Sequence, residues 1–237
     1  FMGEEMSGVA AVETAMRRIK AGQGDLFLVG GAFNSEREDI LLNFELGGML
    51  LQGQHKPIWE RAGTTTSGLA PASIGAFLVL EEESKALSRG ARIYAELEDV
   101  VSGRCDRKHC SAIDNACRQF ASLQPKLNKD KQLAVLSGAS GAEMATSEEL
   151  SFLRGVVEQS YMTFIRAYGT VLGHGVEAHF PVGVALAALA LQRGAFYPPF
   201  DQSGIEHACA GTPEQILLTC WGHWRGEALA LIRKAGH

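Results

Sequence analysis

The chain has no concentration of charge of one sign. Its 237 residues include 22 Lys or Arg and 27 Asp or Glu, for a formal net charge of −5. No basic cluster is long enough to grip a nucleic-acid backbone, so nucleic acid is excluded as a partner. Long hydrophobic runs are also missing. The longest, Phe180 to Leu191, is shorter than the roughly 20 residues that cross a bilayer; it reads as a buried helix, and no membrane span is expected. A basic start of the secretory kind is lacking too: Phe1 to Ser7 carry Glu4 and Glu5, and a cytoplasmic protein is the expectation. Cysteines are few and odd in number: Cys105, Cys110, Cys117, Cys209 and Cys220. Cys105 and Cys110 with His109 have the spacing of one corner of a metal site, but no second Cys/His pair at zinc spacing follows to complete it. Free thiols in a reducing compartment are therefore expected, with no metal and no cofactor. Short tandem repeats are absent as well.

What remains is the composition of a packed globular protein, 46% hydrophobic and 21% charged, long enough for one large domain or two medium ones. Val9, Val12, Met16 and Ile19 recur at helical spacing over residues 9–20, with Arg17, Arg18 and Lys20 in the last turn. Gly22 and Gly24 stop that helix, and an apolar strand follows at 25–29, ending in Gly30-Gly31. Phe1-Met2-Gly3 is not a natural initiation, and the chain reads as beginning inside a domain whose earlier strands are absent. Residues 33–70 read as irregular. Further strands are expected at 76–80, 92–100, 133–136, 215–220 and 227–232, the last two joined as a hairpin. Helices are expected at 82–88, at 111–123, from an N-cap at Ser147, and at 181–191. The strand-helix order on both sides of Gly90 divides the chain into two α/β halves, residues 1–90 and 91–237.

One stretch carries more chemistry than the rest. Gly173-His174-Gly175-Val176-Glu177-Ala178 leads into the apolar run Phe180 to Leu191, which ends at Gly194-Ala195-Phe196-Tyr197-Pro198-Pro199. A glycine-histidine turn of this kind holds one imidazole at the mouth of a buried helix, where a base or carbonyl-polarising group would sit. His179, five residues on, is expected to point elsewhere and to be structural.

The His174 segment closely resembles the second-histidine segment of the β-ketoacyl-ACP synthases, the condensing enzymes of fatty-acid and polyketide synthesis. Four other segments resemble that family in the same order. Ala11 to Gly31 is similar to its nucleophile helix and following strand. Gly75 to Leu97 is similar to the junction of its halves and is the most specific match. Ser137 to Glu149 falls on its first-histidine loop, and Thr219 to Leu231 on its closing glycine-rich loop. The resemblance implies a thiolase-like layered αβαβα fold of the α/β class, with the first part of the N-terminal half absent. It implies an acyl carrier protein as partner, docking through a local basic patch because the net charge gives no help. It also implies a homodimer, or a heterodimer with an active synthase.

The same resemblance places the catalytic groups, and most are replaced. The family's cysteine thiolate, activated at a helix N-terminus, falls on or near Glu5, which cannot form a thioester. The first histidine falls on Ser140 and the pantetheine-binding threonines on Ala142 and Met144. The family lysine falls on Gly169 and the acid of its Gly-Glu-Gly stretch near Ser73. His174 remains. The gating phenylalanine falls on His223, with Trp224 and Arg225 in place of glycines, large enough to fill the substrate space. These positions (Glu5, Ser140 and His174 as candidate catalytic groups, with Gly169, His223, Trp224 and Arg225 as candidate pocket residues) point to a non-condensing, chain-length-factor-like subunit. The alternatives are an acyltransferase or decarboxylase on acyl- or malonyl-ACP that uses His174, and a scaffold or carrier-binding module.

Overall fold

Period-2 alternation along the central strands decides the layering, because each strand must feed two hydrophobic cores at once. In the computed structural model, which describes residues 4–159 and 163–236, the larger sheet has five strands: β3 (Glu96–Asp106), β4 (Leu133–Ser137), β5 (Thr163–Ala167), β6 (Gln215–Trp221) and β7 (Arg225–Arg233). Their order is β3-β7-β6-β4-β5, with β4 parallel to both neighbours and β7 antiparallel to both of its own. On β6, Ile216, Leu218 and Cys220 belong to one core and Leu217 and Trp221 to the other. All seven residues of this strand are buried, as expected of a strand covered on both faces.

Two long helices fill the first core: α1 (Met6–Lys20) through Val9, Val12, Ala15 and Met16, and α8 (His179–Arg193) through Phe180, Val184, Ala187 and Leu191. Their far side meets a two-stranded antiparallel sheet of β1 (Leu26–Phe33) and β2 (Ile74–Glu81). The second core, on the other face of the large sheet, is closed by α5 (Ala112–Leu123) and α6 (Glu143–Glu158) through Phe120, Phe152 and Val156. Shorter helices are α2 (Glu38–Leu46), α3 (Ile58–Arg61), α4 (Glu83–Ser88) and α7 (Gly169–Leu172). The layers run helix, sheet, helix, sheet. Among the described residues no fifth layer covers the outer face of β1 and β2, where Leu26, Leu28, Phe77 and Val79 are 51–69% exposed. The expectation about Phe1-Met2-Gly3 lies outside the described residues.

Several local expectations are corrected. The 33–70 segment is not all irregular, since it holds α2 and α3. Strand β3 starts at Glu96 and runs to Asp106, not 92–100. Helix α6 begins at Glu143, so Ser147 lies within it and Ala142 is its N-cap. Cys105 and Cys110 are joined as a disulfide, not free. The turn after β3, closed by the Cys110 amide on the Asp106 carbonyl at 3.0 Å, brings the two Cα atoms to 5.7 Å, within bridging range.

Candidate active site

The layering brings three chain ends to one point: the start of α1, the Gly173–Gly175 turn before α8, and the β6–β7 hairpin. Glu5, immediately before α1, is 1% exposed. Gly8, one turn on, lets α1 lie against the Val176–Ala178 turn; a Cβ there would stand 2.1 Å from the Glu177 carbonyl. The His174 backbone is held on both sides, its amide donating to Ala70 O at 2.8 Å and its carbonyl accepting from Ala72 N at 3.0 Å. Val176 has φ +46, a left-handed conformation that a β-branched residue adopts only under strain, which is concentrated at functional sites. The hairpin loop is pinned from outside. Arg107 pairs with Glu148 at 2.8 Å and donates to the Gly222 and His223 carbonyls at 2.8 and 3.1 Å.

At the meeting point the Glu5 carboxylate stands between two imidazoles. His174 Nε2 is 3.2 Å and His223 Nδ1 2.6 Å from Glu5 Oε1. The second contact lies off the ring N–H axis, since His223 Nδ1 has no aligned hydrogen-bond partner. His223 Nε2 is 2.9 Å from Ser140 Oγ, and Ser140 Oγ also accepts from the Ala142 amide at 3.2 Å. Ser140 lies between β4 and α6, 3% exposed, and His223 is 7% exposed. The four residues form a continuous chain, His174–Glu5–His223–Ser140. Burial alone would push the Glu5 carboxyl up. The facing His223 charge and the hydrogen bond with the His174 imidazole overcome this and hold it well below the usual carboxylate range. Burial lowers His174 below the usual imidazole value, with the Glu5 hydrogen bond opposing.

His179 does not point elsewhere, as the sequence reading has it. The first residue of α8 turns its ring back onto the turn, 4.3 Å centroid to centroid from His174 and stacked on Tyr168 at 4.4 Å. Burial first, then the nearby His174, holds it well below the usual histidine value. Gly169 lies in tightly packed interior: a Cβ would stand 2.9 Å from both the Ala139 carbonyl and Ile58 Cδ1, and 3.7 Å from the His179 ring. Ser73, next to the Ala72 that bonds the His174 carbonyl, takes no part in the cluster's hydrogen bonds and bonds Ser35 and Asn34. Trp224 and Arg225 do not fill the interior. At the hairpin turn Trp224 is 48% exposed, stacked against Phe44, and Arg225 lies outside, 3.9 Å from Glu4. With Asp106 and Glu4 they line a surface cleft of about 470 Å³. A second cleft, of about 400 Å³, has His223, Trp224, Met49 and Ala142 among its walls and Lys108 at its side.

Glu5, His174 and His223 each offer one ligand atom within 4.8 Å of the others, a donor set that zinc accepts. Two ligands each about 2.0–2.1 Å from a tetrahedral zinc stand roughly 3.3 Å apart. The 2.6 Å between His223 and Glu5 is shorter than that and is a direct contact of the two charged groups. Two further buried carboxyls escape sequence reading. Glu149 accepts from the Ser137 hydroxyl at 2.5 Å and contacts Thr219, and Glu227 contacts Asn115 and Gln119. Burial raises each to about 7.

No protein-family model matches the chain. It is 25% identical over 214 residues to a Streptomyces coelicolor protein named as actinorhodin polyketide beta-ketoacyl synthase 1, covering 86% of this chain and 45% of that one. It is 24% identical over 194 residues to a protein of Streptomyces virginiae named as polyketide beta-ketoacyl synthase 1, covering 78% and 46%. The chain spans about half the length of the curated relatives it matches. Among solved structures, the ishigamide ketosynthase/chain length factor superposes with a TM-score of 0.80 at 21% identity, over 97% of this chain and 59% of that one. A type II ketosynthase in complex with its acyl-carrier protein superposes with a TM-score of 0.83 at 18% identity, over 98% and 62%. A ketosynthase of the bacillaene synthase from Bacillus subtilis gives 0.82 at 16% identity, over 99% and 46%.

Proposed function

We propose that this chain is a diverged member of the β-ketoacyl synthase family and that it serves polyketide biosynthesis as a non-condensing subunit of the chain-length-factor kind, a reading supported by its layered fold and by the relatives it resembles. One observation carries the reading. The residue before α1, where the resemblance puts the nucleophilic cysteine, is Glu5, a buried carboxylate ion-paired to two imidazoles. A carboxylate held ionised in this way can stabilise positive charge but cannot hold an acyl chain as a thioester. The first-histidine position holds Ser140 and the lysine position holds Gly169, where no long side chain fits.

The partner in this reading is a cysteine-bearing ketosynthase, and the exchanging molecule is an acyl carrier protein. The names of the superposed structures, one a ketosynthase with its chain length factor and one a ketosynthase with its carrier protein, support both assignments. A homodimer is the second arrangement, and residues 1–90 and 91–237 are proposed as the two halves of the fold. Intact mass after incubation with an acyl-carrier-protein thioester, or with an epoxide inhibitor of condensing enzymes such as cerulenin, tests the assignment. No adduct is expected on any residue of α1 or on Glu5. A stoichiometric adduct there overturns the reading.

A further inference from the structure

The Ser140–His223–Glu5 chain has the connectivity of a nucleophile, a base and an orienting acid. Ser140 Oγ is 2.9 Å from His223 Nε2; the Glu5 carboxylate holds His223 from the other side by charge, 2.6 Å from Nδ1 but off its N–H axis, and by accepting from the His223 amide at 3.4 Å. The serine follows strand β4 and precedes helix α6 by three residues, in Gly138-Ala139-Ser140-Gly141. Gly141 has φ +90, a left-handed conformation that a side chain would strain. The N-cap of α6 is an alanine with no side-chain acceptor, and its amide donates to Ser140 Oγ at 3.2 Å, so the positive end of this 16-residue helix lies beside the serine. The second cleft places His223 and Ala142 on its wall.

We propose that Ser140 is an acyl-accepting nucleophile, with His223 as its base and Glu5 positioning His223, and that this site transfers or hydrolyses acyl groups from thioesters. Ser140 Oγ attacks the carbonyl carbon and its proton passes to His223 Nε2. The tetrahedral intermediate collapses, the C–S bond breaks, and the same proton goes to the leaving thiolate, leaving an ester on Ser140. Water or an acceptor thiol gives its proton to His223 and attacks that ester. The Ser140 C–O bond breaks, the serine is re-protonated, and a carboxylic acid or a new thioester departs. No oxidant or reductant is needed. Ser140 and His223 are the catalytic residues; Glu5 acts through His223. The thioester as substrate class rests on the proposed place of the chain in ketosynthase chemistry. The relay rests on the geometry alone.

The test treats the 237-residue chain with a fluorophosphonate probe and, separately, with S-acetyl-N-acetylcysteamine, reading adducts by intact mass and peptide mapping. The expected result is one fluorophosphonate per chain on Ser140, lost in Ser140→Ala, together with thioester hydrolysis. Ser140→Cys should still capture the acetyl group, which separates loss of the nucleophile from loss of the fold. Glu5→Gln should slow labelling at least tenfold, and Glu5→Asp, which keeps the carboxylate, should restore part of the rate. The other charged groups around His223 are Glu4, His174 and Arg107, and they are unchanged in both variants. Labelling of Ser140 without thioester turnover supports the relay and overturns the thioester assignment. No label on folded wild-type protein, or a label that persists unchanged in Ser140→Ala, overturns the relay.

Discussion

Buried ionisable groups in this molecule pull stability in opposite directions with pH. Glu149, fully buried, has its carboxyl raised by burial from 4.5 to about 7, against the Ser137 and Thr219 hydroxyls. Between these two values the folded state keeps a proton that the unfolded chain has released, so stability falls as pH rises through that window and is level above it. Glu149→Gln keeps an acceptor for the hydroxyls and removes the charge. It should be near neutral at pH 4 and stabilise by on the order of 2–3 kcal/mol at pH 8, read from denaturant unfolding at the two pH values; an equal effect at both would refute the assignment. Glu5 works the other way. Burial raises its carboxyl, but the paired histidines hold it well below its ordinary value. Its contribution is present above the unfolded carboxylate pKa and is lost as pH falls through the lower folded one. Glu5 and Ser140 are legible as replacements because the flanking segments fix their register. The chain of contacts between them is not, since it joins residues 5, 140, 174 and 223 through tertiary packing alone.

At the scale of elements, the glycine contact between α1 and the Val176–Ala178 turn sets the site. A methyl at Gly8 would stand 2.1 Å from a backbone carbonyl that cannot step aside. Gly8→Ala should therefore lower the melting temperature by several degrees and weaken the Glu5–His174 contact, visible as altered histidine ring resonances; an unshifted melt would contradict the close approach. The periodic strands of the large sheet are readable from apolar runs, and β4, β6 and β7 stand where those runs put them. Strand β5 was not readable because Arg166 sits in its middle. That side chain is buried with its guanidinium donating to the Ile165, Tyr197 and His207 carbonyls, a satisfaction no local pattern announces. Helices α2 and α3 hide for a different reason. Both are short: α2 runs straight into Gly47-Gly48, and the single turn of α3 lies between Pro57 and Gly63, so turn-forming composition outweighs periodicity.

At the scale of the molecule, the large sheet is covered on both faces and, among the described residues, the small one on only one. Leu28 is 69% exposed on the bare face and pairs across the strands with Val79, itself 59% exposed. A contiguous apolar face of this kind marks an association surface, and the proposed assembly with a ketosynthase gives it a use. Since Leu28 makes no buried contact of its own, Leu28→Asp should leave the melting temperature of the isolated chain nearly unchanged. In an assembly it would bury an unpaired charge, at a cost of several kcal/mol.

The measurement that bears most directly on the subunit assignment is sedimentation velocity of this chain mixed with a cysteine-bearing type II ketosynthase at micromolar concentration, for the parent and for Leu28→Asp. The account predicts a one-to-one complex with the parent and two separate monomers, both folded, with the variant. A parent chain that stays monomeric in the mixture, and sediments identically to Leu28→Asp, would contradict it.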